Sequence, residues 1–286
     1  MPNRSRPTKQ RRSRSEMASI RAAILQVVEE NAPMTVRQVF YQLVSLGVID
    51  KSEGEYKGTV VRLLTDLRIS GELPFESIAD NTRWMRKPRT FSSLEEALRN
   101  TATTYRRAAW DNQPSYVEVW LEKDALAGVV YEETETWDVP LMVTRGYPSV
   151  SYLHAAAETI QECEKAAYLY YLGDHDPSGV DIPRNVEARL REFAPLAEIH
   201  FVRLAVTREQ IAEFRLPTRP TKASDVRSRG FVGESVEVDA IAPAQLRALV
   251  RKAIEQHVNK RALRILQIAE KSEREFIDML VTQEFE

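Results

Sequence analysis

The sequence predicts an α/β protein in two parts: an N-terminal helix-turn-helix domain with a β-wing (a winged helix), then a larger domain around a largely parallel sheet. Three observations predict it. Up to Ile69, apolar residues recur at helical spacing between tight turns. From Tyr116 onward, short apolar runs alternate with amphipathic helical patterns. Finally, 286 residues of which 43% are apolar are enough for two cores, at roughly 100 to 200 residues per domain. The expected boundaries are a disordered basic tail over 1–16, a winged-helix DNA-binding domain over 17–90, a connecting helix over 91–114, and an α/β domain with a C-terminal helical extension over 115–286.

The tail comes first. Residues 1 to 15 contain Arg4, Arg6, Lys9, Arg11, Arg12 and Arg14 and no acid, so the net charge of -2 leaves about -8 on the remainder. A short Ser-, Pro- and Arg-rich arm buries too little apolar surface to fold, and it reads either as a solubilising terminus or as a phosphate-binding arm. Ile20, Ala23, Ile24, Val27 and Val28 then mark a first helix, Ser19 to Val28, ending near Asn31 and Pro33. Thr35 caps a second helix carrying Val36, Val39, Phe40, Leu43 and Val44, which Gly47 stops. A third runs from Thr59 to Ile69, and the alternating segment Phe75 to Trp84 is expected to be the wing. Arg62, Arg68 and Arg83, with Arg86, Lys87 and Arg89, give this part a basic edge suited to a phosphate backbone. The competing reading is a three-helix interaction domain with a solvated charged face.

After a connecting helix over residues 92 to 111, strands are expected at Tyr116–Leu121, Leu141–Thr144, Ala167–Leu172, Ile199–Val206 and Val236–Ile241. Helical patterns at Lys123–Thr134, Val150–Cys163 and Val180–Phe193 separate them, Phe214–Gly233 reads as an ordered surface segment, and 243 to 283 reads as helical. No apolar run approaches the roughly 20 residues of a membrane span, and there is no secretory leader pattern, so a cytoplasmic location is expected. The single Cys163 and four scattered histidines offer neither an internal disulfide nor zinc-ligand spacing. P-loop, nucleophile-elbow and dinucleotide-binding fingerprints do not occur.

Chemistry is expected beyond the carboxyl ends of the strands, where open α/β sheets bind ligands. Glu122 follows the first strand of this domain; Asp174 and Asp176 follow the strand Ala167–Leu172, in Gly173-Asp174-His175-Asp176-Pro177-Ser178-Gly179. Alone, that segment also reads as an ordinary Asp-Pro-Gly turn. With Glu122 beside it, three hard-oxygen donors in one crevice suit Mg²⁺ or Mn²⁺, and without a cation they would repel one another. His175 should point to the other side, and Asp124 reads as a capping residue. In Arg145-Gly146-Tyr147-Pro148-Ser149, Arg145 is a candidate phosphate contact and Ser149 a helix cap.

These segments resemble the Toprim domain, a Rossmann-like fold, of topoisomerase VI A subunits and their meiotic double-strand-break relatives. The likeness is carried by Val119 through Glu122-Lys123-Asp124, by the Arg145 to Ser149 turn and by the Asp174 to Gly179 turn. It continues in Leu216-Pro217-Thr218 with Lys222 and Asp225, and in Val236-Glu237-Val238-Asp239-Ala240, and it spans about residues 19 to 260 in order. The resemblance implies that Glu122, Asp174 and Asp176 bind magnesium. Arg37-Gln38-Val39-Phe40-Tyr41 is similar to the family's Arg-x-x-Tyr-Tyr, whose last tyrosine attacks DNA; Phe40 departs from the pattern and Tyr41 keeps the reactive place.

The function this implies is Mg²⁺-dependent DNA cleavage by a homodimeric type IIB topoisomerase A-like enzyme. Tyr41 would form a 5′-phosphotyrosyl double-strand break, Arg37 would assist one helical turn away, and Arg62, Arg68, Arg83 and Arg145 would contact double-stranded DNA. Strand passage in the family needs a separate ATP-driven B subunit, and this chain contains no ATPase module. Two alternatives stay open: a hydrolytic Toprim endonuclease of plasmid-defence type, with Tyr41 structural, and a non-catalytic winged-helix regulator.

Overall fold

A computed structural model describes residues 12–79, 88–220, 231 and 233–285. It has a mixed α/β fold: a cluster of helices, then a parallel four-stranded sheet flanked by helices. Helix α1 (Arg14–Asn31) starts five residues before the expected Ser19. Ser13 caps it reciprocally with Glu16, whose carboxylate accepts the Ser13 N–H at 2.6 Å. The tail expected over 1–16 therefore gives its last residues to this helix, and residues 1–11 lie outside the described residues. Arg12 adds an ion pair to Glu55 at 2.6 Å.

Helix α2 (Val36–Ser45) begins as expected, with Thr35 and Gln38 forming a second capping box. The third helix is longer than its apolar pattern. It opens as α3 (Glu53–Glu55), passes through a π-helical stretch Tyr56–Val61, and ends as α4 (Arg62–Ile69). Of the wing expected over Phe75–Trp84, Phe75–Ser77 forms a 3₁₀ turn and Ile78 makes a single parallel bridge to Met34. Residues 80–87, with Arg83, Arg86 and Lys87, lie outside the described residues.

The connecting helix is α5 (Leu94–Thr104), shorter than expected. The sheet comprises β1 (Ser115–Leu121), β2 (Leu141–Val143), β3 (Ala166–Leu172) and β4 (Ile199–Ala205), all parallel in the order β2-β1-β3-β4. Its crossovers are α6 (Ala127–Thr136), α7 (Val150–Glu162) and α8 (Pro177–Phe193). The chain goes from β1 to β2 on one side and returns to β3 on the other. The strand order thus switches direction between β1 and β3, where Leu121 pairs in register with Leu172.

Two expectations are corrected here. Val236–Ile241 is not a strand: Val236 bridges His175 and the chain turns into a 3₁₀ stretch, Val238–Ala240, because the Val238 N–H is taken by the Asp174 carboxylate at 2.9 Å. Helix α8 starts at Pro177, not Val180, because Asp176 caps it and Pro177 suits the first turn. A short helix α9 (Arg208–Glu213) that the apolar pattern did not reveal is started by a Thr207–Gln210 capping box. Helices α10 (Pro243–Glu255) and α11 (Lys260–Phe285) complete the chain. Among the described residues no helix is long and apolar enough to cross a membrane.

Alternation along the strands divides the core. Val117, Val119, Leu121, Tyr170 and Leu172 face one side, where their core is continuous with that of α1, α2 and α4. Trp120, Leu169 and Tyr171 face the other, against α7 and α8. The N-terminal helices are therefore seated on the sheet domain. Arg247 donates to the carbonyls of Asn31 and Pro33, and Lys51 to those of Pro217 and Thr218.

Glu118 is buried on the α7 side, accepting from the Tyr116 hydroxyl at 2.8 Å and the Trp120 indole at 2.7 Å. Burial outweighs both bonds and raises its carboxyl to about 7. Between the unfolded value near 4.3 and about 7, the native state holds a proton that the unfolded chain has released. Stability from this group is thus full below that window and lost as pH rises through it. Glu118→Gln should flatten this slope and gain up to about 3 kcal/mol over wild type at pH 8 relative to pH 4, read from urea unfolding at both pH values. Parallel pH profiles for the two proteins would show that Glu118 is not the titrating group.

Candidate functional site

The switch in strand order brings Glu122 and Asp174 together, as the sequence reading required. The Glu122 N–H donates to the Leu172 carbonyl at 2.9 Å, continuing the β1–β3 ladder, and the Asp174 N–H donates to Glu122 Oε2 at 3.1 Å. The same oxygen receives the Tyr171 hydroxyl at 3.3 Å. Glycine is required at two points of this contact. A Cβ on Gly173 would lie 2.4 Å from Glu122 Oε2, and one on Gly179 would lie 2.1 Å from the Asp174 carbonyl oxygen. Arg203 braces the turn from β4, donating to the Gly173 carbonyl at 3.1 Å and the Gly179 carbonyl at 2.7 Å, and also to the Asp174 carbonyl.

Asp176 lies at the same edge in another role: its Oδ1 accepts the Gly179 N–H at 2.7 Å as the cap of α8. Burial raises the Glu122 carboxyl to about 7, with the charges of Asp174 and Asp176 adding to the effect. Asp174 is also raised, by burial, against the opposing pull of Lys123.

Lys123 is the main partner that the sequence reading left without a role. Its ammonium lies 2.6 Å from Asp239, 3.1 Å from Asp174 and 3.1 Å from Glu237. Burial alone would discharge it, but the three carboxylates, Asp239 foremost, hold it charged. Arg37 and Arg219 each reach Glu237 at 3.1 Å. Burial would raise the Glu237 carboxyl, yet Lys123, Arg37 and Arg219 bring it down to about 2. Glu237 and Asp239 stand two apart, like Asp174 and Asp176, in the segment Val236 to Ala240 that the family resemblance includes without giving either carboxylate a role.

A cleft of about 730 Å³ opens over this edge, between the N-terminal helices and the sheet domain. Arg37, Arg68, Arg145, Arg219, Glu122 and Asp174 line it. Arg145 sits in a left-handed turn (φ 54°) before Gly146 and pairs with Asp124 at 2.9 Å, and Ser149 caps α7 as expected. Arg62 is exposed on α4, and Arg68 bonds the Leu64 carbonyl at 3.0 Å. His175 is buried, with its ring 5.2 Å from that of Phe231.

Tyr41 is placed differently from an exposed nucleophile. Only 2% of it is accessible, and it is not among the residues lining the cleft. Its ring meets Phe40 edge-on and lies 5.2 Å from the Lys51 ammonium, and burial together with Glu237 pushes its phenol well above the usual value. Arg37 lies over Tyr56 at 4.9 Å, and it shares Glu237 with the Tyr41 phenol. Tyr56, presented by the π-helical stretch, is the tyrosine that lines the cleft.

The donor set fits a hard divalent cation in kind: close carboxylates at a sheet edge, with one carboxyl raised by burial and then by its neighbours. Among the described residues, however, no three His, Cys, Asp or Glu side chains are gathered tightly enough to hold a metal ion as they stand. Lys123 supplies the cationic charge to Asp174 in this arrangement. No known protein family and no curated protein matches the chain.

Proposed function

We propose that this chain is a Mg²⁺-dependent DNA-cleaving enzyme of the topoisomerase VI A type, with a winged-helix domain seated on a Toprim domain. One observation carries the proposal: the strand-order switch places Glu122 and Asp174 side by side beneath a cleft lined by arginines. Glu122, Asp174 and Asp176 would hold Mg²⁺, or Mn²⁺, which when bound supplies charge neutralisation at the scissile phosphate. The arginines bind and orient double-stranded DNA across the cleft. The enzyme acts as a cytoplasmic homodimer, and a separate ATPase subunit would be needed only for strand passage.

In the transesterase form, the Tyr41 oxygen attacks phosphorus, the bond to the 3′ oxygen breaks, and a 5′-phosphotyrosyl end and a free 3′-hydroxyl result. The phenol proton is lost to solvent and the 3′ oxygen gains one. This form requires the N-terminal helices to swing so that Tyr41 leaves its buried seat. A second reading is favoured by that burial: activated water attacks instead, and Tyr41 is a packing residue. Supercoiled plasmid incubated with the protein and Mg²⁺, run with and without protease, separates the two. Protein-linked 5′ ends support transesterification; protein-free ends support hydrolysis; intact plasmid under both conditions overturns the proposal.

DNA on the arginine-lined face also has a salt signature. The Arg62→Ala/Arg68→Ala double variant should bind duplex DNA with a log Kd against log salt slope lower by about two, since each lost phosphate contact removes roughly one unit. An unchanged slope would move the DNA path to another surface.

A further inference from the structure

Helix α11 carries two opposed faces. Val281 is buried, and Arg274, Glu273 and Glu270 tie the inner face to the segment after α5 through Tyr105 and Arg107. On the opposite face Ile265, Ile268, Phe276, Met279 and Leu280 are 43 to 64% exposed. At 3.6 residues per turn these five fall within an arc of about 120°, an apolar stripe divided by Ser272 that nothing in the chain covers among the described residues.

We infer that this stripe is an interface that seats the α11 of a second copy of the chain in antiparallel orientation. Two features of the helix commit the surface to that occupant. The stripe is self-complementary about Ser272: with that small residue on a two-fold axis, Ile265 faces Met279 of the second copy and Ile268 faces its Phe276. The charge beside the stripe is also segregated. Lys260, Arg261 and Arg264 stand at the start of α11, which has no acid before Glu270, whereas Glu275 and Asp278 stand near its end, where no base follows Arg274. Antiparallel packing about a two-fold axis brings like flanks together. Arg264 then meets Asp278 of the second copy, and Lys271 meets its Glu275. In a parallel pair the opposite flanks would meet, so Arg264 and Lys271 would not face these carboxylates and the charge match would be lost.

The inference gives the proposed homodimer a surface but rests on α11 alone. A monomeric protein would therefore overturn it without touching the cleavage test. Sedimentation of the full chain over a micromolar concentration series should show a reversible dimer. Ile268→Glu and Phe276→Glu should each weaken it by at least about tenfold, with helicity by circular dichroism unchanged because both side chains point to solvent in the single chain. Arg264→Asp should weaken association, and adding Asp278→Arg should restore it. In a Cys163→Ala background, oxidising a mixture of Ile265→Cys and Met279→Cys proteins should give a cross-linked dimer that neither protein gives alone. A monomer at every concentration, a dimer indifferent to these changes, or cross-linking of Ile265→Cys with itself would each overturn the antiparallel interface.

Discussion

Asp174→Ala and Glu122→Gln should each abolish Mg²⁺-dependent plasmid cleavage, a loss of at least about a thousandfold, while leaving a folded protein that still binds DNA. Glu122 lies where burial, and after it two carboxylates, already oppose its ionisation, so its proton comes off only near pH 7. A divalent cation takes the deprotonated form. Mg²⁺ affinity should therefore rise about tenfold per pH unit up to pH 7 and level off above it, and single-turnover cleavage should follow. Isothermal titration with Mg²⁺ from pH 5.5 to 8.5 reads the slope directly. A flat profile, or wild-type cleavage by either variant, would remove Glu122 and Asp174 from the chemistry. Lys123→Ala separates the metal from the ammonium that holds Asp174 at 3.1 Å. If the two cations compete for Asp174, the variant should bind Mg²⁺ more tightly, at the cost of an unpaired Asp239 carboxylate in the core.

Tyr41→Phe should eliminate covalent protein–DNA adducts completely if the phenol is the nucleophile, with DNA binding and Mg²⁺ binding intact. The substitution removes one hydroxyl from a side chain that is 2% exposed, so stability should change by no more than about 1 kcal/mol. The phenol is held in its protonated form by burial and by the Glu237 carboxylate. Ionisation is therefore expected only when it moves out of that seat, and the adduct rate should increase when Glu237→Gln removes the carboxylate beside it. Equal cleavage by Tyr41→Phe with protein-free ends would assign the attack to water. Tyr56→Phe is the companion variant, since Tyr56 lines the cleft: adducts that persist in Tyr41→Phe but vanish in Tyr56→Phe would transfer the role to the π-helical stretch that follows α3.

The sequence by itself determined the two N-terminal helices, the four parallel strands with the helices that cross over between them, and the placement of the carboxylate edge. Helical periodicity located the body of α1, capping residues together with periodicity located α2 and α7, and apolar runs located all four strands, because these signals are local and act within a few residues. Glu122 and Asp174 were legible as neighbours because a residue just past a parallel strand reaches the ligand-binding edge whatever lies elsewhere in the chain. Only the tertiary structure decided the partners of those carboxylates. Lys123 bonds Asp239 across 116 residues and Arg37 bonds Glu237 across 200, contacts that no local pattern encodes. The same packing decided the fate of Tyr41, which an amphipathic helix permits to be either exposed or buried until another surface closes over it. It also turned Val236–Ile241 from an alternating strand into a bridge and a 3₁₀ turn, because a buried carboxylate, Asp174, claimed the backbone N–H that a strand would have used.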